Sequence, residues 1–302
     1  MTDFADLLRG AGLDRGNCAY CLHKMGDPVR LRAVQSLVED RPDLFEAFQA
    51  NHPAGPEATV RDHPLFAAFV QTAPGEATFV GLYDRVVGPP QSAADWLSDP
   101  AIAEMVARVD GHVASPETQA AKWAGRLRFQ FTPRAELADL SRRLVVADPG
   151  GRAYVRLGQT TDLPVLEIGR RASLVPPLPA WDRLVLTKAD LRTLPAAWDA
   201  ALGQWRGVYL LVDEADGARY VGSAYGTENL LGRWRSHVAG TRGVTEGLRD
   251  RNPATFRFSI LELTAPTAPP EEVIRLEQTW MDRLHTRAHG LNAGAAAPIS
   301  EP

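Results

Sequence analysis

Five side chains in the last third of the chain have the types needed for acid–base and phosphate chemistry: Tyr209, Tyr220, Arg233, His237 and Glu277. Arg233 and His237 are four apart where Leu230, Leu231, Trp234 and Val238 fall at helical spacing. Both therefore project from one side of a helix, at the edge of its apolar arc. The planar fork of an arginine suits phosphate oxygens. Taken alone, Arg233 reads as a surface residue paired with Glu228 or Asp282, and His237 as a surface histidine. Glu277 falls in a helix expected over Glu271–Leu284, on the face that carries Val273, Ile274, Trp280, Met281 and Leu284. A carboxylate there is costly unless it is paired or holds a metal. The pattern of the helix leaves open a buried Glu–Arg pair, the commoner case, and a cation ligand. Tyr209 and Tyr220 lie in short apolar strands, where tyrosines usually end in a core. Near an arginine or a metal, a tyrosine can instead relay a proton. Hydrolysis of a phosphodiester needs a nucleophilic water, charge neutralisation and help for the leaving group, and these residues are able to supply them.

The elements that must position these groups can be read off the same stretch. Gly207-Val208-Tyr209 continues into Leu210-Leu211-Val212 as one strand, and Tyr220-Val221-Gly222 forms a second. Glu214-Ala215-Asp216-Gly217 between them ends in Asp-Gly and predicts a tight hairpin. The arrangement resembles the catalytic core of the GIY-YIG nuclease superfamily. Gly207-Val208-Tyr209 is similar to its first motif and Tyr220-Val221-Gly222-Ser223-Ala224 to its second. Arg233 and His237 are similar to the basic pair on the following helix, Glu277 to the metal-binding glutamate, and Asn292 in Gly290-Leu291-Asn292 to the asparagine that closes the domain. The five motifs occur in the family's order and cover about the last third of the chain.

The resemblance implies a small mixed sheet flanked by helices and a Mg2+-dependent DNA endonuclease, with Mn2+ as a substitute metal. Glu277 would be the metal ligand, Arg233 the phosphate clamp, Tyr209 the general base and Tyr220 a positioning group. His237 would share proton transfer or contact phosphate, with Arg235, Arg242 and Asn292 in support. Two features depart from the pattern. Tyr225-Gly226-Thr227-Glu228 lengthens the link to the arginine helix, and Arg242 stands near where some members carry a further histidine.

Composition sets the wider bounds. A chain of 302 residues with a formal charge of −4 has room for two domains and is not a general DNA-coating protein. Arg233, Arg235, Arg242, Arg249, Arg251 and Arg257 nevertheless make a basic island against Glu246 and Asp250. No apolar run is long enough to span a bilayer, and MTDFADLLRG lacks the form of a signal peptide; the chain is read as cytoplasmic. Cys18 and Cys21 form a single CxxC beside His23, too few ligands for a structural zinc site, and are read as ordinary thiols.

Upstream, residues 1–50 read as helical, 51–64 as a proline-rich loop and 65–70 as a turn of helix. Thr78–Tyr83 reads as a strand and 91–122 as helical. Short strands around Leu127–Phe131, Leu144–Val146, Tyr154–Leu157 and Val165–Ile168 suggest a small antiparallel sheet or barrel. Trp181–Gln204 reads as a connector in which Asp190 caps a short helix, and Trp198 and Trp205, at a boundary between about 185 and 205, are expected to pack the halves together. The expected class is α+β, with an N-terminal α+β domain over 1–185, a connector over 186–205 and the nuclease domain over 206–302. Target recognition or sensing is assigned to 1–185, in restriction, defence or DNA processing. Two rivals remain: a nuclease-like module that binds DNA structure without cutting, and an effector nuclease gated by its N-terminal half.

Overall fold

The computed structural model describes residues 2–110, 115–227, 229–240 and 245–292. The fold is α+β. Its helices and strands follow in the order α1 (Phe4–Gly10), β1 (Cys18–His23), α2 (Pro28–Asp40), α3 (Pro42–Gln49), α4 (Ala54–Asp62), β2 (Leu65–Ala73) and β3 (Glu76–Pro90). Then come α5 (Ala93–Ser98), α6 (Pro100–Val109), α7 (Pro116–Trp123), β4 (Leu127–Pro133), β5 (Leu144–Ala147), β6 (Val155–Leu157), β7 (Val165–Ile168) and β8 (Val185–Thr187). The rest are α8 (Lys188–Arg192), α9 (Ala196–Leu202), β9 (Arg206–Asp213), β10 (Ala218–Ala224), α10 (Asn229–Val238), β11 (Phe256–Thr264), α11 (Pro270–Arg283) and α12 (Thr286–His289). They divide into two compact units, Met1–Pro176 and Pro177–Pro302. Among the described residues no helix is long and apolar enough to cross a membrane.

The first unit is built on a seven-stranded mixed sheet, β6-β1-β2-β3-β5-β7, with β4 paired to the far arm of β3. The sheet is larger than the sequence suggested, and β1 and β2 run parallel. Both strands were expected to be helical. Their residues bury alternately into two cores: Ala19, Cys21, Phe66, Ala68 and Val70 into one, Cys18, Tyr20, Leu65, Ala67 and Phe69 into the other. A strand buried on both faces has no apolar–polar alternation to betray it. Helix α4 replaces the expected loop because Pro53 lies at its N-cap and Pro56 in its first turn, where no intrahelical N–H is needed.

The same alternation settles the geometry of the CxxC pair. Cys18 and Cys21, three apart on β1, face opposite sides of the sheet, so they cannot share a ligand or a disulfide. His23, on the face of Cys21, is buried against Phe45 and Phe48. His52 is buried against Tyr154, whose hydroxyl lies 3.0 Å from its Nδ1.

The second unit holds a four-stranded sheet in the order β10-β9-β11-β8. Residues 186–205, expected as a connector, belong to it: β8 pairs with β11, and Leu186, Leu191 and Leu202 are core residues. Trp198 and Trp205 pack against this same core. Thr187, rather than Asp190, caps α8, and Asp190 completes the capping box from the third position. Helix α10 covers one face of the sheet, with Leu230, Leu231, Trp234 and Val238 packed on Tyr209, Leu211 and Tyr220. Helix α11 covers the other, with Leu276, Trp280 and Met281 around Val208 and Val221.

Candidate active site

Tyr209 on β9 and Tyr220 on β10 point to the α10 face, their ring centroids 6.5 Å apart. The opposing strand makes room for them at a glycine. Gly222 stands directly across from Tyr209, and a Cβ there would come within 2.4 Å of the Tyr209 hydroxyl. Gly207 serves the other side of β9. Its φ is +152°, and a Cβ would lie 2.0 Å from the Glu262 carbonyl, beside the bulge that β11 makes between Ile260 and Glu262. The two motif glycines thus let three strands close around one tyrosine.

Tyr209 is fully buried, and its hydroxyl lies 2.7 Å from His237 Nε2. His237 is not a surface histidine: it is fully buried, in ring contact with both tyrosines. Burial, seconded by the charge of Arg233, lowers its pKa to about 4. The imidazole is therefore neutral near pH 7, and Nε2 is suited to accept the phenolic proton. His237 Nδ1 has no hydrogen-bond partner among the described residues. Burial pushes both tyrosines up, and Arg233 opposes that rise in each. On Arg233 itself burial disfavours the charge, but the two tyrosine hydroxyls within its reach outweigh this and raise its pKa.

Glu277 lies on the opposite face. Ser223, two residues after Val221 on β10, points to the α11 side, and its Oγ donates to Glu277 Oε2 at 2.8 Å. Among the described residues the partner of this carboxylate is a hydroxyl, not an arginine. Burial raises the pKa of Glu277, while Ser223 and then Arg233 hold it down; the net shift is upward. The two faces meet around the end of β10. There a cleft of about 560 Å3 is lined by Ser223, Tyr225, Thr227, Arg233, Ser236 and Glu277, among others. Arg233 and Glu277 open into this cleft. Tyr209, Tyr220 and His237 stand behind it, so the tyrosine hydroxyls share a neighbourhood with Arg233 rather than an open cavity.

β10 is the edge strand of its sheet, and its outward backbone is occupied along its length. The Arg219 carbonyl accepts from Leu291 N–H at 2.8 Å. Asn292 pairs with Val221 twice, its Oδ1 accepting from the amide at 2.8 Å and its Nδ2 donating to the carbonyl at 2.7 Å. Ser223 follows, facing Glu277. Asn292 therefore fixes the strand and does not reach the cleft.

The remaining basic residues are mostly engaged elsewhere. Arg235 pairs with Asp199, Arg257 with Glu214, and Arg251 with both Asp213 at 2.7 Å and Asp216 at 2.9 Å. Asp282, a sequence candidate for Arg233, pairs with Arg287. Arg242 and Glu228 lie outside the described residues. Ser223 lies in the second motif, but its contact with Glu277 follows only from the register of β10 against α11. Among the described residues no three His, Cys, Asp or Glu side chains gather as a metal site.

No protein-family model matches the chain, and no curated protein sequence does. Two solved structures align with it: a mutant of the catalytic domain of intron endonuclease I-TevI and the catalytic domain of homing endonuclease I-TevI. Each is 23% identical over 30% of this chain, covers 96% and 99% of the other chain respectively, and has a TM-score of 0.24.

Proposed function

We propose that the second unit is a GIY-YIG-type endonuclease that hydrolyses DNA phosphodiesters with the help of Mg2+. One observation carries the reading: Arg233 and Glu277, brought from opposite faces of the sheet, open into one cleft, with a Tyr209–His237 hydrogen-bonded pair directly behind Arg233. On this reading Arg233 grips two oxygens of the scissile phosphate and strengthens its hold as charge develops. Tyr209 takes a proton from the attacking water as it passes its own to His237 Nε2. Burial disfavours both a resting phenolate at Tyr209 and a standing imidazolium at His237, so on this reading the proton passes through the pair in concert with attack rather than resting on either ring. Tyr220 keeps Arg233 oriented.

The residues fit Mg2+ of the kind that takes one protein carboxylate, keeps several waters and completes its shell with substrate oxygens. Glu277 would hold it, because its carboxylate is half-buried, lines the cleft and has a hydroxyl rather than a cation for a partner. Bound there, the cation would neutralise charge on the phosphate and at the leaving oxygen. The first unit would supply target choice, in restriction, defence or DNA processing.

The test is cleavage of plasmid, single-stranded and modified DNA by the full-length protein. Cutting should require Mg2+ or Mn2+ and stop in EDTA. Glu277→Ala should abolish it while leaving DNA binding nearly intact. Undiminished cutting by Glu277→Ala would remove the metal assignment. DNA binding without cleavage under every metal would favour the structure-binding module instead.

A further inference from the structure

Along the outer edge of β10 the backbone of Arg219 and then of Val221 is bonded, and Ser223 follows. The first two meet residues that close the strand. The third meets Glu277 through a hydroxyl bond of 2.8 Å. Ser223 itself lines the cleft. Glu277 sits on α11, an element that otherwise meets β10 through packing of side chains such as Val221, Leu276 and Met281. Packing of this kind sets the depth of a helix but does not fix the rotamer of a long, half-exposed carboxylate. A directed hydrogen bond from a short side chain on a strand does.

We propose that Ser223 is the positioning residue of Glu277, orienting its carboxylate toward a divalent cation in the cleft; the proposal rests on the nuclease reading above. Serine is suited to this place. Its hydroxyl donates to one carboxylate oxygen and leaves the other free for a hard cation. Its strand is pinned on one side by β9 and on the other by Asn292. Threonine keeps the same Oγ on a backbone that favours β-branched residues, whereas alanine removes the donor without adding bulk.

The experiment compares full-length wild type, Ser223→Ala and Ser223→Thr in two measurements. In the first, Mn2+ is titrated into the protein and free Mn2+ is read by electron paramagnetic resonance. In the second, DNA cleavage is followed against Mg2+ concentration. Ser223→Ala should weaken Mn2+ binding and raise the half-saturating Mg2+ by about 10- to 100-fold, with its rate approaching wild type at saturating metal. Ser223→Thr should restore both, and circular dichroism and thermal melts should match across the three proteins. Equal Mn2+ affinity in wild type and Ser223→Ala overturns the proposal, as does a wild type that binds no Mn2+. Equal loss in Ser223→Ala and Ser223→Thr overturns it in favour of a purely structural serine. The two readings fail separately. Ser223-dependent Mn2+ binding with no DNA cleavage removes the nuclease and keeps the positioning role. Mg2+-dependent cleavage with metal binding indifferent to Ser223 does the reverse.

Discussion

Arg233 is distinguished from its neighbours by what it does not do. Arg235, Arg251 and Arg257 spend their charge on Asp199, Asp213 and Glu214, while Arg233 makes no ion pair among the described residues and opens into the cleft. Half of the basic island legible in the sequence is thus neutralised by neighbouring carboxylates, and Arg233 is an arginine of that island whose guanidinium opens into the cleft. Replacing it with a point charge should be costly. Arg233→Lys should stay folded yet lose activity equivalent to on the order of 2–4 kcal/mol of transition-state stabilisation, by analogy with other preorganised donors. Single-turnover cleavage at saturating metal measures this, and a rate near wild type would give the phosphate contact to another arginine. The types and spacing of the five candidate residues were legible in the sequence. The burial of His237 was not, because its i to i+4 relation to Arg233 says nothing about which of the two faces the sheet.

Among the elements, the hairpin of β9 and β10 and the two covering helices could be read directly. Asp216-Gly217 announces the turn, and the helical periods of α10 and α11 contrast with the strands. Strands β1 and β2 hid because they are buried on both faces, and α4 because its prolines sit where helices tolerate them. The hairpin also explains why its second strand needs Gly222. Gly222→Ala would drive a methyl to 2.4 Å from the Tyr209 hydroxyl and 2.5 Å from its ring, with Tyr220 at 2.8 Å. Tyr209 is fully buried among Tyr220, Trp234 and His237, so the variant should lose stability by about 1–3 kcal/mol, as overpacked cores do, and should lose most activity with it. Chemical denaturation alongside cleavage assays would show this. Wild-type stability and rate would mean that β10 slides to accommodate the methyl.

At the scale of the molecule, the chain separates at Pro176–Pro177, upstream of the segment whose composition suggests a connector. Pro-rich sequence after Val175 marks the place, but the short strand Val185–Thr187 has too few residues to declare its pairing with β11. The consequence for dissection is definite. A fragment from 177 onward keeps Leu184, Leu186, Leu191 and Leu202 in the core of the second unit. It should fold cooperatively and retain weak, poorly selective, Mg2+-dependent nicking. A fragment from 206 onward loses all four, along with β8, and should melt lower or fail to fold. Equal melting temperatures for the two fragments would show that β8 and its helices are dispensable. A fragment from 177 that cuts the same sites at the same rate as the full chain would remove the first unit from target choice.

The two imidazoles sealed inside the first unit make it sensitive to acid. Burial, offset in part by Gln49, takes His23 down to about 4, and burial with the nearby His23 takes His52 down to about 3, from an ordinary value near 6.5. Unfolding releases both rings into water, where they bind protons that the folded state refuses. Stability is therefore complete above about pH 6.5 and declines as the pH falls toward those folded values, by about 1.4 kcal/mol per pH unit for each ring within the window. His237 adds a change of the same sign in the second unit. Urea unfolding between pH 7.5 and 5, above the range where most carboxylates titrate, isolates this effect. A midpoint that holds steady across that interval would mean the rings are already hydrated in the native protein.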